Sequence, residues 1–268
     1  MPSPDFAPWL ARWDLTADGG AFSSPNAWLL PVTQGGVRAI LKISHAPEEI
    51  AGARTMQWWG GHGAARVLAL DGEALLLERL TGPRDLTAMA RGAEDDAATA
   101  VICDVLALLH VPRATPLPDT LVPLEDWFRE LAPAAASIGG PYTLAAQAAA
   151  ELFATSEPPV VLHGDMHHGN VLDSERGWLA IDPKGLIGDR GYDYANLFCY
   201  PWDCAEAPSR FSRRALLVSA LANLALPRLL NWVIAYTGVT AACARVDGKN
   251  PKRALHILEI ALAERGSL

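Results

Sequence analysis

Short alternating apolar runs fill the first third of the chain, and longer helical periodicities fill the rest. Ala27 to Val32 and Arg38 to Ile43 are separated by Gln34-Gly35-Gly36, which predicts a β-hairpin. Along a strand the side chains alternate faces, so Lys42 shares a face with Ile40 and can be aimed into a cleft. Pro47 to Trp59 predicts a helix: Pro47 suits a first turn, Glu48 and Glu49 suit its positive end, and Gly60, Gly61 and Gly63 stop it. Val67 to Leu70 and Ala74 to Glu78 predict a second strand pair around the turn dipeptide Asp71-Gly72. Thr16 to Pro25, rich in Gly, Ser and Asp, reads as turn or loop.

Beyond Gly82-Pro83 the pattern changes. Glu94 to His110 predicts an amphipathic helix with Val101, Val105 and Leu108 on one stripe. Prolines 112, 116, 118 and 123 mark a loop, followed by helical stretches at Leu124 to Leu131 and Tyr142 to Thr155. Pro159 to Leu162 and Trp178 to Ile181 read as short strands bracketing a turn at Asp173 to Gly177. The remainder is mainly helical, and Asn250-Pro251 opens the last helix. The plan is α+β: a strand-rich lobe over residues 1–79, then a mainly helical lobe over residues 80–268.

Composition narrows the class. A chain of 268 residues fits one large domain or two lobes. A net charge of −8 argues against a nucleic-acid binder. The N-terminus lacks the pattern of a signal peptide, and no long uncharged apolar run predicts a membrane span. Cys103, Cys199, Cys204 and Cys243 form no C-x-x-C pair, which reads as reduced thiols in a cytoplasmic protein. Charge is uneven: fourteen acids face four bases between Asp119 and Glu206, while three acids face nine bases beyond. The acidic middle suits a cationic small-molecule partner or simply a solvated surface. A monomer or weak homodimer is expected.

The chemistry concentrates in His163-Gly-Asp-Met-His-His-Gly-Asn170 and Ile181-Asp-Pro-Lys-Gly185. Asp165 and Asn170 lie five positions apart on a loop after a strand, and Asp182 ends the next strand. A phosphoryl-transfer site needs one carboxylate for the attacking hydroxyl, and an amide oxygen and a second carboxylate for Mg²⁺. The spacing is that of the protein-kinase catalytic loop, with Asp182 in the place of the later metal-binding aspartate. Lys42 on its strand can reach the α- and β-phosphates of ATP, and Glu49, seven residues on, can hold it. Glu78 to Leu80 are candidates for the hinge that meets adenine, and Gly19 to Ser24 for a phosphate-covering loop, though without G-x-G-x-x-G. An alternative gathers His163, His167, His168 and Asp165 as a metal-hydrolase cluster. Another makes the chain a non-catalytic nucleotide-binding module.

Leu162 to Val171 with Gly177 to Leu186 resembles the aminoglycoside phosphotransferase superfamily. Ile-Asp-Pro-Lys-Gly with Ala195-Asn196 most resembles its aminoglycoside/hydroxyurea resistance branch, whose best-known members are streptomycin 6-phosphotransferases. The likeness also takes in Phe22-Ser-Ser24, Ala39 to Lys42 and Leu76 to Glu78. It implies a bilobal protein-kinase-like fold with a small antiparallel-sheet N-lobe and a mainly helical C-lobe. It implies Asp165 as catalytic base, Asn170 and Asp182 as Mg²⁺ ligands, and Lys42 with Glu49 as the phosphate-anchoring pair. Ser23, Ser24, Glu78 and Leu80 would meet ATP. His163 would brace the loop, with His167 and Lys184 in support; Pro183-Lys184 departs from the wider superfamily and leaves the role of Lys184 open. Streptomycin carries guanidinium groups, so Asp189, Asp193, Asp203 and Glu206 are the candidates to line its pocket, with Trp202 nearby; for Asp193 a bracing role through hydrogen bonds is the favoured alternative to a substrate contact. Hydroxyurea or a metabolite alcohol remains a possible acceptor.

Overall fold

The computed structural model describes residues 3–155, 157–201 and 208–268, and the side chains of 208 and 209 are not described. Asp203, Glu206, Trp202 and Cys204 therefore lie outside the described residues. A short helix α1 (Ala7–Arg12) leads into an antiparallel sheet of β1 (Thr16–Ala17), β2 (Phe22–Ser23), β3 (Trp28–Gln34) and β4 (Val37–Ile43). Helix α2 (Pro47–Trp59) follows, then β5 (Val67–Asp71) and β6 (Ala74–Glu78). The strand order is β1-β3-β4-β6-β5, with β2 also on β3. The stretch read as loop thus contributes two strand pairs, Thr16 opposite Thr33 and Phe22 opposite Leu29. The open edge of β3 supplies their partners, which composition alone does not reveal.

Alternation in β4 behaves as its pattern requires. Ala39, Leu41 and Ile43 pack with Leu30, Val32, Ala74 and Leu76 on one face, against α1 residues Trp9 and Leu10. Lys42, opposite Leu75 in the register, projects from the other face and is buried there. Gly60 ends α2 in the left-handed conformation, φ 60°, which a glycine adopts without steric cost.

The second part comprises α3 (Leu86–Arg91), α4 (Asp95–Leu109), β7 (Val122–Pro123), α5 (Leu124–Trp127), α6 (Leu131–Ile138) and α7 (Pro141–Ala154). Then come β8 (Val160–Leu162), β9 (Val171–Leu172), β10 (Leu179–Ala180), β11 (Leu186–Gly188), α8 (Gly191–Ala195), α9 (Pro208–Leu221), α10 (Leu226–Val246) and α11 (Lys252–Gly266). In α4 the buried stripe is Ala98, Ile102, Val105, Leu106 and Leu109. Leu108 is half exposed, because the apolar face is wide and its centre lies one position off the predicted stripe. The helix expected over Leu124 to Leu131 is two, parted at Phe128 to Glu130. The strand at Leu179 pairs with β9 across the turn, while β8 pairs with β11, an unpredicted strand.

Helix α10 has the length and mean hydropathy, 1.2, of a membrane-crossing helix, but 67% of that window is buried within the protein. Trp232 on this helix packs edge-on against Phe128, Phe153 and Tyr192. Met56 and Trp59 of α2 join this larger core instead of the sheet's outer cluster. Helix α2 therefore couples the sheet to the catalytic segment.

Candidate active site

The catalytic loop starts where β8 ends. The chain turns through Gly164 at φ 81°, where an added Cβ would lie 2.9 Å from Leu186 Cδ1 and 3.1 Å from Lys184 Cβ. Only glycine fits that turn without displacing both neighbours. Asp193 of α8 fastens it: the N–H groups of His163 and Gly164 donate to its two carboxylate oxygens at 2.8 and 2.7 Å. Asp193 is itself fully buried and pairs with His110 Nε2 at 2.8 Å.

The His163 ring is committed to the backbone. Its Nε2 meets the Ile181 carbonyl at 2.8 Å, and its Nδ1 accepts the Asp165 N–H at 3.2 Å. Burial pushes its pKa down despite Asp193 nearby, which matches a neutral ring with one donor and one acceptor. His167 accepts the Gly169 N–H and stacks on Tyr200 at 4.2 Å between ring centres. Among the described residues no three His, Cys, Asp or Glu side chains gather as a metal site. The metal-hydrolase alternative fails on this geometry, because His163 has no free ring nitrogen.

These bonds present Asp165 at a cleft. Its Oδ1 accepts from Asn196 Nδ2 at 3.0 Å. Burial raises its carboxyl to about 6, against the opposing pull of Lys184 and Asn196. Such a carboxyl is still ionised near neutrality, yet is a stronger base than a solvated aspartate.

Lys42 and Glu49 meet at 2.5 Å, and Lys42 also reaches Asp182 Oδ1 at 2.8 Å. Burial alone would lower the Lys42 pKa, but Asp182 and Glu49 outweigh it and hold the ammonium above its usual range. The other oxygen of Glu49 faces Lys184 Nζ at 3.3 Å. Asp182 stands at φ 58°, an uncommon conformation for a residue with a Cβ. The Ile181 N–H donates to the Asn170 carbonyl at 2.9 Å, and Asn170 Nδ2 donates to the Asp165 carbonyl at 2.9 Å. With its amide nitrogen so engaged, Asn170 keeps its side-chain oxygen as the acceptor left to bind a ligand. That oxygen and the Asp182 carboxylate are hard donors few enough to leave coordination positions for phosphates and water, which suits Mg²⁺.

The remaining nucleotide candidates are placed as follows. The Glu78 carboxylate accepts from the Arg66 N–H and pairs with Arg176, so its side chain braces the sheet. The Glu78 and Arg79 N–H groups are spent on the Arg66 and Arg38 carbonyls. Among the described residues the Leu80 N–H has no backbone acceptor. Ser23 lies exposed on β2, and the Ser24 N–H and hydroxyl both bond the Ala27 carbonyl, closing a tight turn. Ser44 Oγ bonds the Asn26 carbonyl at 2.5 Å, which ties this turn to the strand of Lys42.

A cleft of about 290 Å³ opens over Asp165. Lys184, Trp127, Tyr192, Tyr236, Asp247 and Lys249 line it. Asp189 and Asp193 do not; for Asp189 this corrects the expectation drawn from the acidic middle of the chain, while Asp193 takes the bracing role. Asp189, itself buried, accepts from the Gly191 and Glu157 N–H groups and pairs with the half-buried Arg228. Asp193 clamps the catalytic turn. Nearness in sequence does not place Asp189 at the cleft, because its carboxylate is turned inward onto the Gly191 N–H and Arg228. Trp127, Tyr236 and Asp247 carry no sequence signal for this cleft. Asn196 belongs to the Ala195-Asn196 pair of the family resemblance but had no role assigned; it lies three positions after Asp193, on the same side of a helical turn.

Comparison with known proteins agrees with this geometry. Aminoglycoside phosphotransferase APH(4)-Ia has the same fold, with a TM-score of 0.68 over 97% of each chain at 15% identity. Choline kinase from Cryptosporidium parvum does too, with a TM-score of 0.64 over 95% of this chain and 90% of that one at 12% identity. The fold is thus the bilobal, protein-kinase-like one. Residues 12–248 match the aminoglycoside/hydroxyurea antibiotic resistance kinase family, and the chain belongs to it. Streptomycin 3''-kinase of Klebsiella pneumoniae is 44% identical over 89% of this chain and 92% of that protein. Streptomycin 6-kinase of Streptomyces griseus is 36% identical over 84% and 76%, and hydroxyurea phosphotransferase of Kitasatospora aureofaciens 33% identical over 97% and 78%. The chain is an ATP-dependent phosphotransferase with a hydroxyl group as acceptor.

Proposed function

We propose that this enzyme phosphorylates streptomycin or a closely related cationic aminoglycoside, with Mg²⁺ as metal. The observation that carries the acceptor is the 44% identity to a streptomycin 3''-kinase across nearly the whole of both chains. The cleft over Asp165 supports it: the partly exposed Trp127 at its wall and the Asp247 carboxylate suit a cationic sugar, with Tyr192 and Tyr236 beneath. A wider cleft of about 460 Å³ continues past Trp127 and Lys184 between α2 and Thr120–Arg129, giving room for an extended acceptor.

In this reading Asp165 takes the proton of the acceptor hydroxyl, and Asn196 fixes the carboxylate oxygen that does so. Lys42, held by Glu49, anchors the nucleotide phosphates, and the Leu80 N–H meets the adenine edge. Asn170 and Asp182 would hold Mg²⁺, which when bound supplies charge to neutralise the phosphates. Burial pushes the Cys103 and Cys199 thiols up to about 12, so neither serves as a nucleophile in this reading.

The test is a transfer assay with ATP, Mg²⁺ and streptomycin, read by mass and ³¹P NMR, with Asp165→Ala as control. The expected product carries one phosphate, and its position decides between the 3'' and 6 hydroxyls. Hydroxyurea is run beside it, because a relative bearing that activity spans nearly the whole chain. Transfer to hydroxyurea but not to streptomycin would overturn the acceptor assignment.

A further inference from the structure

Lys184 stands where the two clefts meet. It lines the smaller one with Asp165 and the larger one with Glu48 and Trp127. Its backbone is fixed from three sides. The Lys184 N–H donates to the His163 carbonyl at 2.7 Å, its Cβ packs over Gly164, and Gly185 (φ 68°) seats against Ala51 of α2. The side chain therefore leaves the backbone in one direction, along the edge of the catalytic loop.

The local charges are unequally matched. One carboxylate, Glu49, holds two ammonium groups, Lys42 at 2.5 Å and Lys184 at 3.3 Å. Lys42 has Asp182 as a second partner at 2.8 Å. Among the described residues Lys184 has only the shared, longer pair. Its charge reaches the reacting groups, since it opposes the upward push of burial on Asp165. Lys184 is thus the less fully paired of the two ammonium groups, and it lines the cleft beside Asp165.

We propose that Lys184 is a second phosphoryl-facing cation, separate from Lys42, which contacts the transferring group as the acceptor attacks. This rests on the phosphotransferase reading above. In the step, the acceptor oxygen bonds to the γ-phosphorus, and the bond from that phosphorus to the β,γ-bridging oxygen breaks with its electron pair left on ADP. The hydroxyl proton passes to Asp165. Lys184 exchanges no proton; it supplies fixed charge where negative charge spreads over the phosphoryl oxygens. Glu49 would then couple the two cations, one on the anchored phosphates and one on the group in flight.

The test compares Lys184→Met, Lys184→Gln and Lys184→Arg with the wild type in steady-state kinetics, beside binding of Mg·AMP-PNP. Removing a transition-state charge predicts a fall in kcat of about 10²–10³-fold in the Met and Gln variants, with analogue binding held within about threefold. K184R should recover at least about tenfold of the rate lost in K184M, because the charge persists. Neutral variants within about threefold of wild-type kcat would overturn the proposal. So would neutral variants that no longer bind the analogue or fold, since Lys184 would then be a structural brace, and so would an Arg variant no faster than Met. A wild type that transfers nothing to streptomycin would sink the acceptor reading alone; the same ordering is then read in ATP hydrolysis to water.

Discussion

Asn196 donates its side-chain amide to Asp165 Oδ1 across 3.0 Å, and does so from the helical turn whose preceding residues include the clamp Asp193. One short segment thus both shapes the loop and orients the Asp165 carboxylate, the base in the reading proposed above. The two functions are separable by mutation.

Replacing Asn196 by Ala frees the Asp165 carboxylate to rotate while leaving the turn intact. Because misplacing a reacting group can cost about 10²-fold, kcat should fall by that order with little change in the KM for ATP. Steady-state kinetics with varied ATP checks this; an equal rise in KM would show that Asn196 serves nucleotide binding instead.

Asp193→Asn should act on stability first. The carboxylate accepts two backbone N–H groups and faces His110 in a fully buried site, whereas an amide presents a donor to donors. Breaking such a buried charged network costs about 3 kcal/mol, visible as a lower Tm, and activity should fall with it. Asp189→Asn should also lower Tm through the Arg228 pair, yet leave the acceptor KM within about twofold, since Asp189 does not line the cleft.

The Asp165 carboxyl gives a pH signature in the absence of nucleotide and metal. Folded, it holds its proton up to about pH 6; unfolded, it releases it near 3.8. Between those values the folded chain binds more protons, so this group's contribution to stability is full below pH 4 and is lost as pH rises through 6. Asp165→Asn cannot ionise, so it should match the wild type near pH 4 and exceed it by about 2 kcal/mol above pH 7. Denaturant melts at the two pH values test this, and equal differences at both would contradict it. The same variant should be nearly inactive.

Gly52→Ala tests the seating of α2. A Cβ at Gly52 would collide with the Pro183 carbonyl. Overpacking of this kind costs about 1–3 kcal/mol, and the displaced helix carries Glu49 on its preceding turn. The expected result is weaker ATP binding and lower kcat/KM, measured by nucleotide titration and kinetics, from a residue that touches no ligand.

The chain order alone determined the kinase plan. Lys42 could be aimed because strand alternation is a local property, and α2 could be bounded because Pro47 and Gly60 act on their own backbone. Asp165, Asn170 and Asp182 stood out as candidates because one stretch of eighteen residues carries them. What the sequence could not determine was which carboxylates face the acceptor. Asp189 was a candidate beside the catalytic motif, but its carboxylate is turned inward onto the Gly191 N–H and Arg228, while Asp193 takes the bracing role against backbone donors and His110. Trp127 and Asp247 meet at the cleft only because α5 and the C-terminal end of α10 are packed over Asp165. Likewise the bridge of Lys42, Glu49 and Lys184 spans elements up to 142 positions apart. Local backbone preferences are written in adjacent residues; the partner of a buried charge is decided by which helix lies across from it, and only the packed chain settles that.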